Sequence, residues 1–175
     1  MSIYVVDVEA DGPIPGDFSL LWIGAVRLDR DLQARFSVKL RPLEGAGFKP
    51  EALRAIGLDR DEFIRDGSEP AHAMSVFRNW IAETNRKGRP IFLSDNNSFD
   101  WMFVCWYFHH FLGENPFGYS SRRIGDFYAG LRREYRAQWK HLRRTRHSHD
   151  PVDDALGNAE AFIAMVDEAG IGDLW

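Results

Sequence analysis

The run Ile3-Tyr4-Val5-Val6-Asp7-Val8-Glu9 ends an otherwise apolar strand in two carboxylates. A strand this apolar belongs at the centre of a sheet, where an uncompensated carboxylate is costly. Alternation along a strand points Asp7 and Glu9 to the same face, roughly 6–7 Å apart. Divalent cations are the usual compensation, and oxygen-only ligands select Mg²⁺ or Mn²⁺ over zinc.

The rest of the chain supplies the partners such a strand needs. Leu20 to Leu28 and Ala34 to Leu40 are strand-like runs separated by Asp29-Arg30-Asp31, which predicts a hairpin. Pro50 to Ile56 and Asp59 to Ile64 read as short helical turns. Glu69 to Glu83 carries Ala73, Met74, Phe77, Trp80 and Ile81 at three- and four-residue spacing, an amphipathic helix. Pro90 to Leu93 predicts another strand, and the aromatic-rich stretch from Phe99 to Leu112 a helix whose rings belong to the core. A short fifth strand is expected before Asp126. The last helix is the best marked, with Asp150 as N-cap and Pro151 at the first helical position. The expected order β-β-β-α-β-α-β-α gives an α/β sandwich with a mixed sheet.

No repeat or linker divides the 175 residues, so one domain over residues 1–175 is expected. A hydrophobic share of 45% with 14% aromatics suits a packed core. The single Cys105 fits a reducing compartment, and no leader-like or membrane-spanning run is evident, so a cytoplasmic protein without membrane partners is expected. The net charge of −4 hides an asymmetry: from Arg132 to His149 stand seven Lys or Arg against one acid, Glu134. That run is suited either to a phosphate backbone or to a solvated face.

Three acidic segments now stand in order. Asp7-Val8-Glu9-Ala10-Asp11-Gly12, Asn96-Asn97-Ser98-Phe99-Asp100 and His149-Asp150-Pro151-Val152-Asp153-Asp154 resemble the three motifs of the DnaQ-like 3′–5′ exonucleases, DEDDh subgroup. The resemblance covers almost the whole chain. It implies a ribonuclease H-like fold of three layers, with a five-stranded mixed sheet, one strand antiparallel, and helices on both faces. It implies a metal-dependent 3′–5′ exonuclease that releases nucleoside 5′-monophosphates from DNA or RNA. Two Mg²⁺ (or Mn²⁺) ions would be held by Asp7, Glu9, Asp100 and Asp154. His149 would be the general base, since an imidazole with its ordinary pKa of about 6.5 accepts a proton readily at neutral pH. Partners would be single-stranded nucleic acid or a 3′ overhang, and a homodimer is left open.

The chain also departs from the family pattern. Ala10 and Asp11 stand where Thr or Ser is usual after the Glu, so Asp11 is expected either near the 3′-terminal sugar or as a turn cap. Ala55-Ile56-Gly57-Leu58 stands where the family often has a His-Gly-Ile turn, and Asp126 where an Asp often ends the fifth strand. Asp150 and Asp153 compete with Asp154 as ligand, and spacing favours Asp154. Ala10, Asp11, Trp22, Asn96, Phe99, Arg143, Arg144 and Arg146 are the candidate substrate-binding residues, with Phe18 and Trp101 as further aromatics for the terminal bases. The competing reading is a catalytically silent ribonuclease H-like domain that only binds nucleic acid. It predicts the loss of a carboxylate or of the His, and none is lost.

Overall fold

In the computed structural model, which describes residues 1–175, five strands form one sheet in the order β3-β2-β1-β4-β5. They are β1 (Ile3–Ala10), β2 (Leu20–Arg27), β3 (Arg35–Lys39), β4 (Ile91–Ser94) and β5 (Ser121–Arg123). The apolar first strand is central, as its composition demands. It pairs antiparallel with β2 and parallel with β4, so β2 alone runs against the others. The helices are α1 (Pro50–Ile56), α2 (Arg60–Asp66), α3 (Pro70–Thr84), α4 (Asn97–Leu112), α5 (Ile124–Arg132) and α6 (Pro151–Ala169), with a 3₁₀ turn over Lys140–Leu142. None is long and apolar enough to cross a membrane.

Alternation along β1 sorts its side chains between two cores. Tyr4, Val6, Val8 and Ala10 face α3 and α4, whose Phe77, Phe103, Val104 and Phe108 are fully buried with them. Ile3 and Val5 face α6 and α5, against Ala155, Ala159, Phe162 and Tyr128. Asp7 and Glu9 share the parity of Ile3 and Val5, so they point toward α6. The β1–β2 register shifts between Glu9 and Ala10, where Trp22 and Leu20 are the partners and Leu21 of β2 is the extra residue, so the ladder is interrupted beside the carboxylates.

Two helix boundaries explain the placement of the motifs. Asp150 caps α6, accepting from the Val152 and Asp153 amides at 2.9 and 3.3 Å, and Pro151 occupies the first turn. Asp154 is thereby fixed one turn into the helix. At α4, the first turn holds Asp100 just past the end of β4, beside the end of β1. The helix α5 was not expected from sequence. It begins directly after the three-residue β5 and places Asp126 in its first turn rather than at a strand end.

Candidate active site

Asp7 stands opposite Gly24 of β2, and that glycine sets the geometry of the site. A Cβ there would lie 2.1 Å from the Pro151 carbonyl carbon and 2.3 Å from the Val152 amide nitrogen. Only a residue without a side chain lets the start of α6 come so close to the sheet. The approach carries Asp154 to β1, and Asp7, Glu9 and Asp154 each offer an oxygen within 4.8 Å of the others. Asp153, one residue earlier, is exposed. Asp100 is buried, and its Oδ2 has no hydrogen-bond partner.

The electrostatics are those of a cluster compensated only in part, by Arg143 on Asp154. Burial pushes the Asp7 carboxyl well above the usual range, and Asp100, Glu9 and Asp154 push it further, against a smaller opposing pull from Arg143. Glu9 is pushed up to about 8, by burial first and then by Asp154. Asp100 is also raised, chiefly by burial, with the Ser94 hydroxyl and Val8 amide offsetting part. An orphaned carboxylate oxygen beside three converging oxygens is a donor set suited to hard divalent cations. The residues present therefore fit a metal cluster. His149 joins them with Nδ1 3.5 Å from Glu9 Oε1, on a backbone held at φ 61°.

Asp7, Glu9, Asp100 and His149 line a cleft of about 520 Å³. Its floor and walls include Ala10, Asn96 and Phe99, as expected from sequence, together with Gly12 and Pro13. Its roof is α1, through Lys49, Ala52, Ala55 and Ile56, and its rim carries Asp95, Lys140 and His147. Lys49, Lys140 and His147 were not singled out as site residues. The Ala55-Ile56-Gly57-Leu58 correspondence was the signal for the roof, whereas Lys49 has no local signal.

Three expected substrate residues lie elsewhere. Asp11 is fully buried and accepts from the Ser19 amide at 2.5 Å and Arg60 Nε at 3.0 Å, while its carbonyl accepts from the Lys49 amide at 2.8 Å. It ties the β1–β2 loop to the roof instead of reaching a terminal sugar. Trp22 faces Phe63 and Lys39 and donates to Ser37 Oγ at 2.9 Å, outside the cleft. Arg143 turns inward, its Nη2 2.8 Å from Asp154 Oδ1, because Gly157 leaves room for the guanidinium across α6. Arg144 and Arg146 remain exposed. Trp101 packs edge-on against Phe92 in the aromatic core, and Phe18 covers Gly12.

The chain is 36% identical over 168 residues to a 3′–5′ DNA exonuclease of Escherichia coli, Cap18, covering 90% of this chain and 87% of that protein. The chain belongs to the DnaQ-like 3′–5′ exonucleases, DEDDh subgroup. No protein-family model matches it. The exonuclease has the ribonuclease H-like fold of its structural neighbours. It superposes on the nuclease domain of 3′hExo, a DEDDh family member, with a TM-score of 0.74 at 14% identity, covering 95% of this chain and 92% of that one. E. coli exonuclease I in complex with a dA16 oligonucleotide gives 0.74 at 18% identity, and there the exonuclease spans 41% of the longer chain. Cell-death related nuclease 4 gives 0.74 at 15% identity, with 95% and 64% covered.

Proposed function

We propose that this 3′–5′ exonuclease removes nucleoside 5′-monophosphates from single-stranded DNA or from a DNA 3′ overhang, using two Mg²⁺ or Mn²⁺ ions. The observation that carries the reading is the convergence of Asp7, Glu9 and Asp154 oxygens within 4.8 Å, beside His149 and the orphaned Asp100 oxygen. Asp7, Glu9, Asp100 and Asp154 would hold the ions, which supply positive charge to both the attacking and the leaving oxygens of an in-line displacement. His149 Nδ1 faces Glu9, which leaves Nε2 to take the proton from the attacking water. Glu9 in turn stabilises the imidazolium that results. Phe99 and Ala10 offer apolar surface to the terminal nucleoside, and Asn96 a side-chain amide. Lys49 in the roof and Lys140 at the rim, with Arg144 and Arg146 beyond it, offer positive charge to the phosphate backbone. DNA is favoured because the 36% identical relative is a DNA exonuclease and exonuclease I was solved with DNA oligonucleotides.

The test uses matched single-stranded and duplex DNA and RNA, labelled at the 5′ end and digested with Mg²⁺ and with Mn²⁺. A ladder shortening from the 3′ end, fastest on single-stranded DNA, is expected. Preferential digestion of RNA would overturn the substrate, and internal cuts would overturn the polarity.

A further inference from the structure

Two residues before His149 stands a second imidazole that none of the three motifs requires. His147 is more than half exposed, yet its Nδ1 lies 2.8 Å from Asp154 Oδ2. Its ring stands edge-on to that of His149, with centroids 4.3 Å apart at 70°. One ligand atom from each of His147, His149 and Asp154 lies within 4.8 Å of the other two. Asp154 Oδ1 is held by Arg143 Nη2 at 2.8 Å and the Ser148 amide at 3.2 Å, while Oδ2, the oxygen on the side of His147, accepts from the His149 amide at 3.1 Å and keeps a lone pair for a further partner.

We propose that His147, His149 and Asp154 form a transition-metal site overlapping the carboxylate cluster, and that Zn²⁺ bound there inhibits the exonuclease. Two imidazoles and one carboxylate are a donor set of a different class from Asp7, Glu9 and Asp100. Imidazole suits Zn²⁺, Cu²⁺ and Ni²⁺, whereas Mg²⁺ prefers oxygen. Zinc–ligand bonds of about 2.0–2.2 Å place tetrahedral ligand atoms about 3.3 Å apart. The His147–Asp154 separation of 2.8 Å and the 4.8 Å limit on the whole set bracket that spacing. Both imidazoles line the cleft, which leaves the fourth position open to solvent or a phosphate oxygen. Binding engages two groups the hydrolysis needs, the His149 imidazole and the Asp154 carboxylate. The inhibition rests on the roles proposed for those residues; the binding does not.

Two measurements test this on the full chain. Co²⁺ titrated into metal-free protein reports the site directly, since four-coordinate Co²⁺ with nitrogen ligands absorbs strongly in the visible and oxygen-bound six-coordinate Co²⁺ does not. Zn²⁺ titrated into the Mg²⁺-supported reaction reports the inhibition, each variant being scaled to its own zinc-free rate. His147→Gln keeps a hydrogen-bond donor for Asp154 without the imidazole, and His147→Ala keeps neither. Both variants should lose the cobalt bands and shift the inhibition midpoint at least about tenfold upward, the lower end of what loss of even a supporting partner costs. Unchanged bands and inhibition in His147→Gln would overturn the proposal, as would wild-type protein without cobalt bands. Cobalt bands that depend on His147 in a protein without hydrolytic activity would sustain the metal site while contradicting the exonuclease mechanism.

Discussion

The two faces of the sheet are packed with side chains of different size, and the difference decides which face carries chemistry. Against α3 and α4 lie stacked rings, Phe36 on Phe77 at 4.9 Å and Phe77 on Phe108 at 5.6 Å between centroids. The start of α6 presents Ala155 and Ala159, with Phe162 and Met165 only further along, and there Gly24 of the sheet meets the helix backbone directly. Large rings hold a helix off a sheet and bury much apolar area. Small residues bring backbone to backbone, so that a carboxylate one turn into α6 reaches the strand it must serve. The aromatic face stabilises the fold, and the close-packed face aligns the acids.

Removing a member of the cluster and removing a ring from the opposite core should therefore separate activity from stability. Asp7→Ala should lower kcat by about 10³-fold or more while unfolding stays cooperative, because the proposed metal clamp would act as a unit. Phe77→Ala should cost about 3–5 kcal/mol of stability, yet leave kcat per folded molecule near that of the parent. Steady-state rates and denaturant unfolding of both variants check the contrast. Equal loss of kcat in the two would dissolve it.

Gly24→Ala probes the close-packed face itself. The new methyl would meet Pro151 and Val152 backbone rather than a movable side chain, so α6 must shift. A displacement of about 1 Å at a reacting centre can cost about 10²-fold in rate. A loss of that order is expected, with destabilisation of about 1–3 kcal/mol from overpacking. A Gly24→Ala enzyme with full kcat would show that the approach of α6 does not set the site.

The cluster also couples stability to pH. Glu9 rises from 4.5 to about 8 on folding, so between those values the folded protein holds a proton that the unfolded chain has released. Metal-free stability should then fall as pH rises through that window. Asp7 shifts in the same direction. Thermal midpoints from pH 5 to 8 in EDTA should decline, and Mg²⁺ should flatten the decline by replacing the proton. A metal-free midpoint that climbs over this range would contradict the burial of charge described here.

The smallest effect belongs to the exposed arginines. Neutralising Arg144 and Arg146 together should weaken DNA binding and reduce its salt slope by about 1.4, some 0.7 for each phosphate of a single strand that is no longer neutralised. The turnover at saturating DNA should barely change. An unaltered slope would mark the two as an ordinary solvated face.

Much of this architecture was legible in the sequence because its signals are local. The apolar β1 ending in Asp7 and Glu9, the β2–β3 hairpin and the capped start of α6 follow from alternation, caps and turn residues within a few positions, whereas the five-stranded sheet with one antiparallel strand came from the family resemblance. What escaped depends on distant partners. The inward turn of Arg143 requires Gly157, fourteen residues on, and a run of charges read linearly gives no hint of it. Asp11 is buried by Arg60, from another helix altogether. Lys49 joins the site only because α1 folds over the cleft. The helix α5 follows a strand of three residues with no intervening turn signal, so the basic segment after it looked continuous.

Asp154 is where the close-packed face and the chemistry meet, and Asp154→Asn changes its charge with almost no change of shape. The most direct measurement is single-turnover digestion of a 5′-labelled single-stranded DNA by wild type and Asp154→Asn side by side, at saturating Mg²⁺. The expected result is a ladder receding from the 3′ end for wild type, and for Asp154→Asn a rate lower by about 10³-fold with the fold retained. An Asp154→Asn enzyme that shortens the strand at the wild-type rate would contradict the assignment of this carboxylate, and with it the role given to α6.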